Sequence, residues 1–566
     1  MVVSQPRPSD EIAPLAPVGA TEPYAPPPAP TPRDLSAGWV IAGLAGCAVV
    51  LLLLEKYLGV YMPDDAYITY RYAENLATGH GLVFNAAAPP VEGYSNLSWI
   101  VLLAGLARRG FDLPVWAANL GAVLSVVNLG LGFALAYEIV RRRGTALIAP
   151  ALLALTAPYA LWARGGLETM WYATVLLLSG WLVVLGLGGR IWAYPLAAAA
   201  LLVLALTRHD GAIPLGLAGL VVLWDLWRRR RTPGRPRAAW AVPLGSVAAL
   251  AAVYLAYTWW RGQYFGQLVP TPFFSRLGDT LTDPSQVWLT VGSYFTRGAH
   301  YSAYGDLLIP AFALAGAGVL WFRRPGLRDA FVLACVAALS LLYFVSESYN
   351  PGIRYMVPVL PLLYVYAQEP LLAGGRLVWR VTAARSGERA ARAAVAGFVG
   401  ICALYLLVMA PRTQYDGQRA EDAKNQSLLP LGQWLHEFAP PGSAVALQDI
   451  GVVAYYSGLR VIDDNPGGLT NGDVIYNAGQ EGFADIALGP RPAFLVFTSG
   501  WDREPRFYTV FDALLKDPRF TGGYTLYNKV KFWEDRGYWV YVRNDIRLPA
   551  AAQAAFPHTD WYDPGP

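Results

Sequence analysis

Residues 63–76 have the sequence PDDAYITYRYAENL and follow an apolar run from Trp39 to Leu54. Pro63 is typical of a helix start, and acidic residues in a first turn are stabilised by the helix dipole. The tyrosines of the stretch predict a helix lying along the membrane surface. Asp64 and Asp65 are costly to hold beside lipid, so the pair favours a functional site at this boundary. A simple helix cap is the structural alternative.

The composition is that of a membrane protein. Hydrophobic residues make up 55% of the 566 residues, charged residues only 15%, and the mean hydropathy is +0.33. A soluble protein would carry roughly a quarter charged residues. The three cysteines all lie in apolar runs, which excludes a disulfide framework and a cysteine metal site. No glycine-rich phosphate loop and no ligand cluster with metal spacing occurs. We therefore expect no nucleic-acid partner. No residues are assigned as metal ligands, and whether a divalent cation acts as a cofactor stays open.

Apolar runs near the ~20 residues that cross a bilayer predict about eleven helices between residues 35 and 411, among them spans at 113–140, 145–162, 355–371 and 394–411. The segment from Ser95 to Arg108 is too short to cross and is expected to be an amphipathic or re-entrant helix. With this arrangement the arginine clusters all fall on the cytoplasmic side, as the positive-inside rule requires. These clusters are Arg141–Arg143, Arg228–Arg237, Arg323–Arg324 and Arg376–Arg392.

The predicted chain thus has three parts. Residues 1–34, rich in Pro and Ala, predict a disordered cytoplasmic tail. Residues 35–411 form the transmembrane domain, with outer loops at 58–112 and 260–305, and the second loop is a candidate lid. Residues 412–566 alternate strand-like and helical runs, which predicts a soluble periplasmic α/β domain. Its predicted strands are Ala444–Leu447, Leu459–Ile462, Ala493–Thr498 and Tyr538–Arg543. Asp449 and Asp463–Asp464 are typical of turn or strand-end residues.

The same arrangement gathers the other ionisable residues at span ends on the outer face. Ionisable groups near lipid are usually paired and often line a substrate path. The residues concerned are Asp64, Asp65, Glu92, Arg164, Glu168, Arg208, His209, Asp210, Glu347 and Arg354.

Several short motifs carry a family resemblance. They are residues 64–76, GHGLVFN at 79–85, VEGYSN at 91–96 with Trp99, GGLET at 165–169, TRHDG at 207–211, RYMVP at 354–358 and YYSG at 455–458. Together they resemble the GT-C membrane glycosyltransferases, most of all the branch with the actinobacterial cell-wall terminal β-(1→2)-arabinofuranosyltransferases. The family pattern at 208–211 is Arg-Pro-Asp-Gly, and His209 replaces its proline. This departure puts the local turn in doubt.

The resemblance implies a GT-C fold in the plasma membrane and a transfer reaction on its periplasmic side. Arabinofuranose would pass from decaprenyl-phosphate-arabinose to the non-reducing ends of cell-wall arabinan, in arabinogalactan or lipoarabinomannan. Asp64 is the first candidate for the catalytic base and Asp65 the second. Arg208 and Arg354, then His209 and Arg71, are candidates for the donor phosphate and sugar. The remaining candidates line the site on the acceptor side: Glu92, Tyr94, Trp99, Glu168 and Asp210.

Other interpretations stay open at this point. Arg71 with Glu74, and Arg164 with Glu168, are spaced for ordinary helical ion pairs, and the histidines are typical of hydrogen-bonded loop residues. Another sugar, such as mannose or galactose, fits the same class. A flippase for a lipid-linked sugar would show mid-bilayer polar residues and inverted repeats, which this sequence lacks. If donor and product are both β-linked, a single displacement does not suffice, and front-face attack or a covalent step is needed.

Overall fold

The computed structural model describes residues 34–86, 88–230, 236–272, 305–346, 353–463, 482, 484–501, 511–532 and 536–557. The predicted tail, apart from Asp34, lies outside the described residues. So do Glu347 and most of the candidate lid, residues 273–304.

The first two thirds of the chain are helical. Residues His209–Gly211 form a 3-10 turn between the ninth and tenth α-helices. The helices are α1 (Ala37–Leu58), α2 (Asp64–Ala77), α3 (Leu97–Ala107), α4 (Leu113–Val140), α5 (Arg143–Ala146), α6 (Ile148–Ala154), α7 (Ala157–Ala163), α8 (Thr169–Leu187), α9 (Ala193–Thr207), α10 (Ala212–Arg229), α11 (Ala238–Phe265), α12 (Gly305–Phe322), α13 (Leu327–Ser346) and α14 (Leu360–Leu407).

The helical part is built to lie in a membrane. In the described chain, seven helices are long and apolar enough to cross a bilayer, and eight if the bent pair α5–α7 counts as one span. The helices α3, α9 and α12 are apolar but shorter. With 11 residues α3 is only ~16 Å long, about half a hydrocarbon core. The count of about eleven spans stays a prediction.

One predicted span is bent, and two others, at 355–371 and 394–411, lie on the two arms of α14. The segment predicted at 145–162 is bent by 68° between Ala154 and Ala157. Pro158 stands in the first turn of α7, where its missing N–H removes no helical bond. The helix α14 reverses at Gly387, whose φ of 82° suits a residue without a side chain. Its two arms then pack together, since a Cβ at Gly374 would lie 3.2 Å from the Phe398 ring.

The helix α2 is more deeply buried than a surface helix. Every residue from Ala66 to Ala73 is buried, whereas a helix lying on lipid buries one face. The cause is that α2 is covered by protein on two sides, by α3 and by the C-terminal part of the chain. The expectation that α2 lies on the membrane surface is therefore wrong in this respect. Its tyrosines are packing residues inside the protein.

The C-terminal part is a five-stranded sheet with helices. Two helices, α15 (Ala410–Gln426) and α16 (Leu428–Phe438), lead from the membrane part to the sheet. The elements that follow are β1 (Ala444–Leu447), α17 (Val452–Ser457), β2 (Arg460–Asp463), β3 (Phe494–Gly500), α18 (Phe511–Lys516), α19 (Pro518–Thr521), β4 (Tyr524–Lys531), β5 (Arg536–Arg543) and α20 (Ala550–Ala554).

The strand order is β2-β1-β3-β5-β4. The strand β1 runs parallel to both β2 and β3, while β5 runs antiparallel to β3 and β4. The α/β prediction is confirmed, and the four predicted strands are present. The strand β4 was missed because it lies at the sheet edge, alternates irregularly and carries a register shift between Leu526 and Asn528.

Candidate active site

The residues directly before α2 are hydrogen-bonded to α15. The backbone N–H of Met62 donates to the Glu421 carboxylate at 2.9 Å, and the Lys424 ammonium donates to the Met62 carbonyl at 2.8 Å. Pro63 follows in an extended conformation, with φ −68° and ψ 160°. Asp64 and Asp65 are thus the first residues of a helix whose start cannot shift.

Asp64 is held by the C-terminal domain. Its two carboxylate oxygens accept the backbone N–H groups of Gly451, at 2.9 Å, and Val452, at 2.7 Å. A Cβ on Gly451 would lie 2.0 Å from the Asp64 carbonyl oxygen, so only glycine permits this approach. Asp64 therefore caps α17, far along the chain, rather than its own helix. Each oxygen keeps a second lone pair for another donor.

The pKa of Asp64 is raised to about 7, first by burial and then by the negative charge of Asp449. The N–H of Val452 opposes the shift, and Asp65 adds to it. A carboxyl group with a pKa near 7 is well matched to proton transfer at neutral pH. Asp449 was expected to be a strand-end residue, which it is, but its place beside Asp64 was missed. Its position just after the predicted strand Ala444–Leu447 was the available signal.

Asp65 faces outward and pairs with a buried arginine. Its side chain is 56% exposed, and its carboxylate lies 3.1 Å from Arg354 Nη1. The other terminal nitrogen, Arg354 Nη2, lies 3.4 Å from Glu168, which also accepts a 2.9 Å bond from Asn96. Burial disfavours the charge of Glu168, but Arg354 and Arg208 outweigh it, so the pKa of Glu168 lies below its usual value. One guanidinium thus bridges two carboxylates at the site.

Arg208 forms a second cationic centre next to the first. It donates to Asp210 at 2.7 Å, and the Tyr343 hydroxyl donates to the same carboxylate at 2.6 Å. The Tyr355 ring makes a cation–π contact with both arginines. Its centroid lies 4.6 Å from the Arg208 Cζ and 5.2 Å from the Arg354 Cζ. Within the described residues, Arg208 Nη1 and Arg354 Nε are buried donors without a hydrogen-bond partner. Such donors are costly to leave unsatisfied unless an anion or water takes them.

The turn at His209 forms without proline. Arg208 is extended, with φ −154° and ψ 146°, and residues His209–Gly211 make the 3-10 turn. The Gly211 N–H donates to the Arg208 carbonyl at 2.9 Å. A Cβ on Gly211 would lie 2.3 Å from the Leu204 carbonyl oxygen. Glycine at this position, rather than proline two residues earlier, allows the chain to place Arg208 and Asp210.

Arg71 has a different role from the one predicted. Its guanidinium donates to the carbonyls of Phe84, at 2.8 Å, and Leu459, at 2.6 Å, and also to that of Ala454. It donates to the Asn85 amide oxygen at 3.1 Å as well. These bonds occupy its donors and fasten α2 to the C-terminal domain. We therefore remove Arg71 from the proposed phosphate ligands.

Three of the acceptor-side candidates, Glu92, Tyr94 and Trp99, are buried in contacts within the protein. Glu92 is buried against Arg261 at 2.8 Å, and burial raises the pKa of Glu92 to about 7 despite this partner. Trp99 is fully buried and donates to the Gly166 carbonyl at 3.3 Å, so it offers no face to a sugar. Tyr94 is buried with its ring centroid 4.8 Å from that of Tyr72. These three residues hold the first loop in place.

A cleft of about 470 Å³ opens at the far end of α2. Ten residues separate Asp64 from Glu74, a distance of ~15 Å along a helix. The Tyr455 hydroxyl donates to Glu74 at 2.6 Å across the cleft. Phenols, carboxylates and an aromatic face in one open cleft are chemically suited to a carbohydrate. Its lining includes Glu74, Thr78, Phe111, Asp112, Tyr455 and Tyr456.

The sequence left a divalent cation open. Among the residues that the structure describes, no group of three His, Cys, Asp or Glu side chains is placed to hold a metal ion. The described residues therefore offer no complete set of side-chain ligands for a divalent cation.

Comparison with solved structures identifies the fold of this chain. The archaeal oligosaccharyltransferase AglB of Archaeoglobus fulgidus, solved with an inhibitory peptide and a dolichol-phosphate, matches with a TM-score of 0.52 and 13% identity, over 81% of this chain and 69% of that one. ArnT of Cupriavidus metallidurans, solved with undecaprenyl phosphate, matches with a TM-score of 0.50 and 16% identity, over 89% of this chain and 98% of that one. The chain has the GT-C fold. At sequence identities this low, the structural similarity is evidence for the fold only.

Two sequence relatives agree with the resemblance found in the motifs. Both are named terminal β-(1→2)-arabinofuranosyltransferase. The Corynebacterium glutamicum protein is 25% identical over 352 residues, covering 55% of this chain and 48% of the relative. The Mycobacterium tuberculosis protein is 31% identical over 240 residues, covering 38% of this chain and 35% of the relative. The chain thus matches less than half of the length of either relative. Residues 413–542 match a family described as a domain of unknown function (DUF8728).

Proposed function

We propose that this GT-C protein is a membrane glycosyltransferase that moves arabinofuranose from a polyprenyl phosphate to a cell-wall arabinan. The observation that carries the proposal is the ion pair of Arg354 with Asp65, the residue directly after Asp64 at the start of α2. Asp64 is a carboxylate whose pKa is raised to about 7, and Asp65, the next residue, pairs with a buried cation that has an unused donor. These are the two groups that a transfer from a lipid phosphate needs.

The chemistry follows from these positions. The Asp64 carboxylate takes the proton of the acceptor hydroxyl as its oxygen bonds to the anomeric carbon. The bond between that carbon and the phosphate oxygen breaks on the same face, as front-face attack on a β-linked donor requires for a β-linked product, and the polyprenyl phosphate leaves with the electron pair. Arg354 and Arg208 balance the charge of the leaving phosphate, and their donors that are unpaired among the described residues, Arg354 Nε and Arg208 Nη1, are available to bond it. Asp65 holds Arg354 in position, and Glu168 holds it from the other side.

The proposed orientation places this site on the periplasmic side of the plasma membrane. The arginine clusters support it through the positive-inside rule. The acceptor would then come from the aqueous side, where the C-terminal domain and the cleft between Glu74 and Tyr455 lie. The donor would come from the bilayer, as lipid substrates do.

A panel of labelled donors tests the proposal. Purified protein in liposomes receives decaprenyl-phosphate-linked arabinose, mannose or galactose together with an arabinan oligosaccharide. We expect labelled arabinan from the arabinose donor only, because the curated relatives are named for that transfer. The control is the Glu388→Gln variant, since Glu388 forms an exposed helical pair with Arg392 away from the site.

Each other outcome of the panel contradicts part of the proposal. Product from mannose or galactose alone would keep the reaction class and replace the sugar. Translocation of the labelled lipid without any glycan product would replace the transferase by a flippase.

A further inference from the structure

The carboxyl edge of the C-terminal sheet meets the start of α2. The strand β1 ends at Leu447, and its parallel neighbours β2 and β3 lie on opposite sides of it. In open α/β sheets, the crevice beyond the carboxyl ends at such a branching point is the usual place for ligands. Asp449 follows β1 at this crevice, and Asp64 lies against the next turn.

Asp449 is anchored within its own domain. The Tyr538 hydroxyl, from the adjacent end of β5, donates to its carboxylate. The Thr498 hydroxyl, near the carboxyl end of β3, also donates to it. Two residues further along the chain, Gly451 and Val452 hold Asp64. The sheet edge therefore fixes both carboxylates through short, rigid connections.

We propose that this edge of the C-terminal domain is part of the transfer site and that Asp449 is a positioning residue whose negative charge acts on Asp64. The proposal rests on the proposed function, in which Asp64 is the base. It also assigns a role to a region whose family is described only as a domain of unknown function. The membrane part alone would then lack a complete site.

The physical effect is a repulsion between like charges. Burial raises the pKa of Asp449 as well, but two hydroxyl groups stabilise its charge, whereas Asp64 has backbone N–H donors only, so a single proton on the pair favours Asp64. The other charged or titratable groups that act on Asp64 are Asp65 and Tyr67 on α2 and Lys424 on α15. An uncharged residue at 449 lowers the pKa of Asp64, because one repelling charge is removed.

The test measures the protonation of Asp64 without requiring turnover. Dicyclohexylcarbodiimide reacts with protonated carboxyl groups, and fragment mass spectrometry separates labelling of Asp64 from that of Asp65. Full-length protein in liposomes is labelled across pH 5 to 9. In Asp449→Asn, which keeps the shape and an acceptor for Tyr538, we expect the midpoint of Asp64 labelling to move to lower pH. Asp449→Ser should move it in the same direction.

The control is Asp545→Asn, which removes an exposed acid of the same domain that pairs with Arg543. Its labelling midpoint should equal that of the wild type. If Asp449→Asn and Asp449→Ser also keep the wild-type midpoint, the proposal is overturned, whatever the donor panel shows. In the transfer assay, the rising limb of kcat/KM against pH should move with the labelling midpoint, so that Asp449→Asn keeps a several-fold larger share of its limiting rate at pH 6.

Discussion

Transfer should fall by ~10²–10⁴-fold when Asp64 is replaced by Asn, the usual contribution of a positioned acid or base, and it should also fall when Asp65 is replaced by Asn. Asp64→Asn removes the group that accepts the hydroxyl proton. Asp65→Asn removes the charge that holds Arg354 at 3.1 Å. The measurement is kcat and kcat/KM with labelled decaprenyl-phosphate-arabinose on purified, reconstituted protein.

For Asp64→Asn and Asp65→Asn, an effect on folding must be distinguished from an effect on catalysis. An Asn side chain at 64 has a single acceptor oxygen, so it can accept only one of the two N–H bonds from Gly451 and Val452. The melting temperature of the Asp64→Asn variant should therefore fall. Asp65 is 56% exposed and accepts no such bonds, so Asp65→Asn should melt close to the wild type. Full activity of both variants, with Glu388→Gln as the neutral control, would remove the proposed base.

The second large effect is expected from Arg354→Ala. The change leaves Glu168, which is 2% exposed, without its cation. Removing one partner of a buried ion pair costs ~3–5 kcal/mol in the free energy of unfolding. Transfer should be lost as well, because the leaving phosphate loses a donor. Thermal melting and the transfer assay measure the two effects separately.

A double variant distinguishes stability from catalysis. Arg354→Ala with Glu168→Gln removes the uncompensated charge, so part of the stability should return while transfer stays lost. Arg392→Ala, which breaks an exposed pair with Glu388, should change neither. Recovery of transfer in the double variant would show that Arg354 acts only through folding.

Much of the membrane part could be predicted from apolar runs. The run at 113–140 coincides with α4, and the short segment near Ser95 is indeed too short to cross. The bend before Pro158 was missed because the apolar pattern continues through it. Hydropathy reports the length of an apolar segment and not its direction.

The site was predictable only in part, because its contacts join distant parts of the chain. The motifs named Asp65, Glu168, Arg208 and Arg354, and the structure brings these residues together. The fastening of Arg71 to Leu459, 388 residues away, has no local signature. The same holds for Asp449, which looks like an ordinary strand-end residue until the sheet is placed against α2.

The most direct test of the central claim is a structure of the full-length protein with bound polyprenyl-phosphate arabinose. The account predicts the phosphate within hydrogen-bond distance of Arg354 and Arg208, with the anomeric carbon facing Asp64 and Asp65. A headgroup bound instead at the opposite face, among the arginines at 228–230, would contradict it.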